Sequence, residues 1–172
     1  MAGSGGPVVR GSQGPAGDAG NPPLGACAAG GRPADLAADL VLDLANRLDD
    51  LGAALARLDD WLASHQAASR LIYSVPLVLE ELLTNTIKYG YEDAAVHRIR
   101  VVFRLGPPAS LCIEDDGHPF DPVAAAPPAV LVGGAQQRPV GGLGLHMVRS
   151  IAAGLDYRRR DGINRIVIEF PD

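Results

Sequence analysis

Ser74-Val75-Pro76-Leu77-Val78-Leu79-Glu80-Glu81-Leu82-Leu83-Thr84-Asn85-Thr86-Ile87-Lys88-Tyr89, followed by Gly90, is the stretch from which the rest of the chain is read. Ser74 can cap a helix, Pro76 is tolerated in a first turn because its missing N–H has no intrahelical partner there, and Gly90 closes the pattern. The spacing predicts a helix over 74–89. Glu81, Asn85 and Lys88 stand four and three residues apart, on one face, while Val75, Leu79, Leu82 and Leu83 can pack inward from the others. A carboxylate, an amide oxygen and an ammonium aligned in this way could activate a hydroxyl, hold a Mg²⁺ ion and neutralise a phosphate. A solvated polar stripe with a Glu–Lys pair has the same spacing. Of the 15 Lys and Arg residues, Lys88 is the only lysine. A chain that otherwise uses Arg keeps the compact ammonium here, as a point-charge phosphate contact requires.

Upstream, Leu40, Leu42 and Leu44 alternate with Val41, Asp43 and Ala45 as a half-buried strand would. Leu48, Leu51, Leu55, Leu58 and Leu62 then recur at helical spacing, with Asp49, Asp50, Asp59 and Asp60 on the polar side and Trp61 as a packing residue at the edge of the stripe. Residues 1–33 hold ten Gly and five Pro with no aromatic residue, and read as a flexible tail preceding a domain over 34–172. Downstream, Ile99, Val101, Phe103 and Leu105 face one way in a strand over 97–105, with Arg98, Arg100 and Arg104 facing the other. Gly106-Pro107-Pro108 turns the chain into a strand over 110–116. Residues 117–140, with repeated Pro and Gly and no sustained period, read as a long loop of the kind that often serves as a lid. A helix over 143–153 leads into a hairpin of 155–160 and 163–170, joined at Asp161-Gly162. Helices covering one face of a largely antiparallel sheet give an α+β sandwich of two layers.

Two further places collect chemistry. Asp115 shares parity with Leu111 and Ile113, so it points inward, where a buried carboxylate needs a donor and an adenine amino group is one. The same Asp115-Asp116-Gly117 also suits a plain turn in which a carboxylate caps the backbone and Gly117 supplies a positive φ. In Gly141-Gly142-Leu143-Gly144-Leu145-His146, glycines just before a helix let backbone N–H groups approach phosphate oxygens. Neither the eight-residue phosphate loop nor a dinucleotide fingerprint is present.

A chain of 172 residues with 47% hydrophobic and 5% aromatic residues suits one domain with an aliphatic core. A net charge of −5 gives no general attraction to nucleic acid or an anionic membrane. Arg158-Arg159-Arg160 is too short to change that: alternating strand faces make it a solubilising run. Cys27 and Cys112, in no Cys-x-x-Cys spacing, read as reduced thiols. Without a signal sequence or an apolar run of spanning length, a soluble cytoplasmic protein is expected.

Glu81-Leu82-Leu83-Thr84-Asn85, Asp115-Asp116-Gly117 with Phe120-Asp121, and Gly141-Gly142-Leu143-Gly144-Leu145 together resemble, in order and spacing, the GHKL superfamily of ATPases and kinases. The resemblance covers about 39–170 and is greatest to the anti-sigma-factor serine kinases. It implies the Bergerat fold, with ATP between helices and sheet under the lid. By position it implies Asn85 as the Mg²⁺ ligand, Glu81 as the general base, and Lys88 and Tyr89 near the phosphates. It further implies Asp115 as the adenine-reading carboxylate, Gly117 in the pocket floor, and Gly142, Leu143, Gly144 and Leu145 in the phosphate-cradling turn. The last hairpin lacks the threonine that many relatives place beside adenine, so Ile163 or Ile166 would fill that edge. The implied function is phosphorylation of a serine on a STAS-type anti-anti-sigma protein, alternating with binding of a sigma factor. The alternative is an ATP-gated binding module with little turnover. The ATP-binding half of a histidine kinase is disfavoured, because no helical hairpin bearing a phosphoacceptor His precedes the Asn helix. Relatives often pair through the sheet, so a homodimer is a possible assembly.

Overall fold

Alternating and helical periodicities sort the chain into two layers in the computed structural model, which describes residues 39–125 and 142–172. The elements are β1 (Asp39–Ala45), α1 (Leu48–Ser64), α2 (Ser69–Tyr89), β2 (Arg98–Arg104), β3 (Ser110–Asp115), α3 (Pro122–Ala125), α4 (Gly142–Ile151), β4 (Gly154–Arg160) and β5 (Ile163–Glu169). The strands form one sheet in the order β1-β2-β3-β5-β4, and every neighbouring pair is antiparallel. Leu40, Leu42 and Leu44 of β1, Ile99, Val101 and Phe103 of β2, and Leu111 and Ile113 of β3 are buried on the face covered by the helices. Leu58 and Leu62 of α1, Val75, Leu79, Leu82 and Leu83 of α2, and Val148 of α4 complete that core. Trp61 packs edge-on against Phe103 at 5.7 Å and stacks on His65 at 3.9 Å, as a packing residue would. The expected α+β sandwich is the fold.

The central helix is longer than the sequence suggests. It begins at Ser69 after Ala68 at the N-cap, so Ser74 is internal and Pro76 lies well inside it. Burial of Leu71 in register with Val75 and Val78 outweighs the hydrogen bond Pro76 cannot donate, and the carbonyl that loses it belongs to the exposed Ile72. In the stretch expected as a loop, Pro122 opens the short α3, and Asp121 accepts from the Ala124 N–H at 3.1 Å. The tail over 1–33 and the remainder of the lid, 126–141, lie outside the described residues. Asp161 (φ 52°) and Gly162 (φ 83°) both take left-handed backbone, as a two-residue hairpin turn matching the strand twist demands.

On the opposite sheet face Arg98 meets Asp43 at 2.9 Å and Arg104 meets Asp39 at 3.1 Å, so the outward-facing arginines of β2 are paired across to β1. Cys112, buried on that face beside Val102, is disulfide-bonded, which corrects the expectation of reduced thiols. Among the described residues no helix is long and apolar enough to cross a membrane.

Candidate functional site

Antiparallel pairing of β3 with β5 sets Asp115 directly opposite Asn164, at the end of the sheet where α2 also terminates. A cavity opens there. It is lined by Asn85, Thr86, Tyr89 and Gly90 from α2, Asp115, His118 and Phe120 from β3 and the segment after it, and Asn164 and Ile166 from β5. Asn85 and Asp115, thirty positions apart in sequence, therefore share one cleft. Ile166 supplies the apolar edge; Ile163 is not part of the lining.

Asp115 is 3% exposed. Its Oδ1 accepts from the Gly117 N–H at 2.9 Å and from Asn164 Nδ2 at 2.9 Å, so the residue both caps its turn and faces inward. Burial pushes its carboxyl above the usual range; hydrogen bonds from Asn164 and Gly117 oppose this, and the nearby Asp116 adds to it. Gly117 is required by crowding and not by a positive φ. A Cβ there would stand 2.6 Å from the Gly90 carbonyl oxygen and 2.9 Å from Asp115 Oδ1, where the end of α2 and the turn after β3 meet. The His118 N–H donates to the same Gly90 oxygen at 2.7 Å and fixes that junction.

On α2, Asn85 donates through Nδ2 to Glu81 Oε1 at 2.8 Å. Glu81 is half-buried, and its carboxylate lies against Gly144 in the first turn of α4; a Cβ at 144 would run into it. Leu145, one position on, is buried in the core and anchors that turn. Gly142 is the first residue of α4, and Leu143 follows in the same turn. Of the aligned trio on α2, Glu81 and Asn85 are joined, whereas Lys88 is exposed and lines no part of the cavity. Tyr89 lines the mouth while remaining 65% exposed.

Asn164 and Arg159 are the participants that the sequence does not announce. Asn164 Nδ2 reaches Asp115 Oδ1, the Gly117 carbonyl at 3.2 Å and the His118 carbonyl at 2.9 Å. Its Oδ1 accepts from the Tyr157 hydroxyl at 2.9 Å and from Arg159 Nη1 at 2.6 Å, and Arg159 also donates to the Gly117 carbonyl at 2.8 Å. Read as one of three solubilising arginines, Arg159 differs from Arg158 and Arg160, whose partners are the exposed Asp156 and Asp161. The signal lies in strand parity: Leu155, Tyr157 and Arg159 share the inner face of β4.

Beside the cavity, His97 Nδ1 pairs with Asp116 at 3.1 Å and Nε2 with Asp93 at 2.9 Å, while its ring stacks on Tyr91 at 4.4 Å. The Tyr91 hydroxyl is pushed far above its ordinary pKa, chiefly by burial and then by the charges of Asp115 and Asp116. Among the described residues no three His, Cys, Asp or Glu side chains converge as a metal site would require.

Residues 44–170 match the family model of the histidine kinase-like ATPase domain. The chain belongs to that family. This ATPase domain is 31% identical over 118 residues to the serine/threonine-protein kinase BtrW of Bordetella bronchiseptica, an alignment covering 66% of the chain and 76% of the relative. It is similar in structure to the RsbU and RsbW domains of Rv1364c from Mycobacterium tuberculosis, with a TM-score of 0.53 at 16% identity. That match covers 77% of this chain and 32% of the other, so the ATPase domain spans about a third of that protein, and the likeness is one of fold. Membership of an ATPase domain family implies that the chain binds ATP.

Proposed function

We propose that this ATPase domain is a Mg²⁺-dependent serine protein kinase and anti-sigma regulator, acting in the cytoplasm on a STAS-type anti-anti-sigma protein and binding a sigma factor as its other partner. The observation that carries the proposal is that Asn85, hydrogen-bonded to Glu81, lines the same cleft as Asp115. In this reading the adenine amino group meets Asp115, and the phosphates extend toward Asn85 and the first turn of α4, whose N-terminus favours anions. The name of the Bordetella relative, a serine/threonine-protein kinase, supports the same activity.

The residues fit a Mg²⁺ ion. Asn85 commits its Nδ2 to Glu81, which leaves the amide oxygen as a neutral ligand. A hard cation that retains water and takes phosphate oxygens needs only one or two ligands from the protein. Bound there, Mg²⁺ would neutralise charge on the transferring phosphoryl group. Glu81, which accepts from Asn85, takes the proton of the incoming serine hydroxyl. The serine Oγ–P bond forms as the bond from the γ-phosphorus to its bridging oxygen breaks, and ADP leaves with that electron pair. Lys88, exposed at the end of α2, is free to swing toward phosphates that reach past the cavity mouth.

The test is incubation of the protein with γ-labelled ATP and Mg²⁺ beside candidate STAS proteins. Label on a serine of one of them is expected. ATP binding without transfer to any candidate contradicts the kinase reading and leaves the ATP-gated binding module.

A further inference from the structure

Asn164 sits opposite Asp115 at the inner end of the sheet, and both halves of its amide are engaged within the protein. The oxygen is held by Tyr157 and Arg159, which fixes the amide so that Nδ2 faces Asp115. With Asn164 3% exposed, this orientation is held by protein partners at the cavity wall. A carboxylate oxygen offers two lone-pair positions. At Asp115 Oδ1 both are filled, by Asn164 Nδ2 and by the Gly117 N–H, each at 2.9 Å. Among the described residues, every hydrogen bond to this carboxylate falls on Oδ1. One oxygen, Oδ2, is left for a ligand in the cavity.

We propose that Asn164, positioned by Tyr157 and Arg159, sets the base specificity of the site by leaving Asp115 a single acceptor. A single acceptor satisfies the one exocyclic amine of adenine. Guanine presents two adjacent donors, N1–H and the exocyclic amine, which pair well only with both oxygens of a carboxylate; here one donor would be buried without a partner. The inference rests on the reading of the cleft as a nucleotide site and names the feature that selects among purines. Asn164 and Arg159 are positioning residues in this scheme, acting on the base through Asp115. Ile166, the apolar neighbour in the cavity lining, adds no donor that would offset the loss.

The experiment compares ATP and GTP affinity, each with Mg²⁺, by calorimetry on wild type, Asn164→Ala and Arg159→Gln, with thermal melting in parallel. Wild type is expected to prefer ATP, and Asn164→Ala to lower the ATP-to-GTP preference by about tenfold, the scale of one hydrogen bond. A loss of stability alone would weaken both nucleotides together and leave the ratio unchanged. Arg159 is exposed along much of its length, so Arg159→Gln keeps the fold and decides the matter should Asn164→Ala fail to fold. It is expected to lower the ratio several-fold, because the amide loses its 2.6 Å anchor. A folded variant that weakens binding but retains the wild-type ratio overturns the inference alone. Wild type that binds neither nucleotide overturns the nucleotide site and the inference with it.

Discussion

The carboxylate of Glu81 occupies the space that a side chain at Gly144 would need. One glycine in the first turn of α4 therefore sets where the proposed base on α2 can stand. The obstructing atoms are the end of a flexible side chain, so a methyl group at 144 moves the carboxylate at little cost to the fold. Gly144→Ala is expected to leave the melting temperature within a few degrees of wild type, roughly the effect of under 1 kcal/mol. Phosphotransfer should fall at least about tenfold, because a small misplacement of a reacting group is costly. Glu81→Gln sets the scale: ATP affinity is expected within a few fold of wild type and transfer slower by about a hundredfold. Steady-state transfer measured beside calorimetry checks both variants. Unchanged transfer in either would remove Glu81 as the base.

Asp115 gives a prediction in which stability and binding move in opposite directions. Burial raises its folded pKa above the unfolded value. Its contribution to stability is therefore fully present below the unfolded carboxyl pKa, about 3.9, and is lost as pH rises through the folded value. At pH 7, above the unfolded value, the buried carboxyl group is a net cost to the nucleotide-free protein. Asp115→Asn keeps an oxygen that can accept from Gly117 and Asn164 while removing the charge. The nucleotide-free variant is expected to melt a few degrees higher at pH 7, about the effect of 1 kcal/mol, while ATP binding weakens. Melting curves with and without ATP decide; a lower melting point together with unaltered ATP binding would contradict this account.

His97 predicts a pH dependence of the junction beside the cavity. Burial lowers its pKa, but hydrogen bonds to Asp93 and Asp116 more than offset that, and the net shift is upward. The stabilisation it gives is complete below the unfolded imidazole pKa, about 6.5, and disappears as pH rises through the folded value. Wild type should therefore lose stability across that window, and His97→Phe, which keeps a ring against Tyr91, should lose less. Denaturant midpoints followed upward in pH from the unfolded imidazole pKa provide the check. Parallel pH profiles for the two proteins would rule out the His97 clamp.

Alternation along β1 and β2 and the leucine period of α1 make most of the fold legible in the sequence, because a half-buried strand or helix must repeat its apolar positions. Asp115 is legible for the same reason: its parity with Leu111 and Ile113 directs it inward, and it is buried. The start of α2 is not, because a good capping residue at Ser74 and the proline after it mimic a helix end, while the burial of Leu71 that decides the matter is a tertiary contact. The roles of Asn164 and Arg159 depend on which strand lies beside β3. Local spacing carries no record of the β3–β5 pairing, so an arginine in a run of three and an asparagine in a hairpin have no visible partner until the sheet is assembled.

A structure of the protein with Mg²⁺ and a non-hydrolysable ATP analogue tests the central claim most directly. The account predicts one nucleotide bridging the cleft, with its exocyclic amine on Asp115 Oδ2 and the metal about 2.1 Å from the amide oxygen of Asn85. A nucleotide bound away from either residue, or a metal held without Asn85, would contradict it.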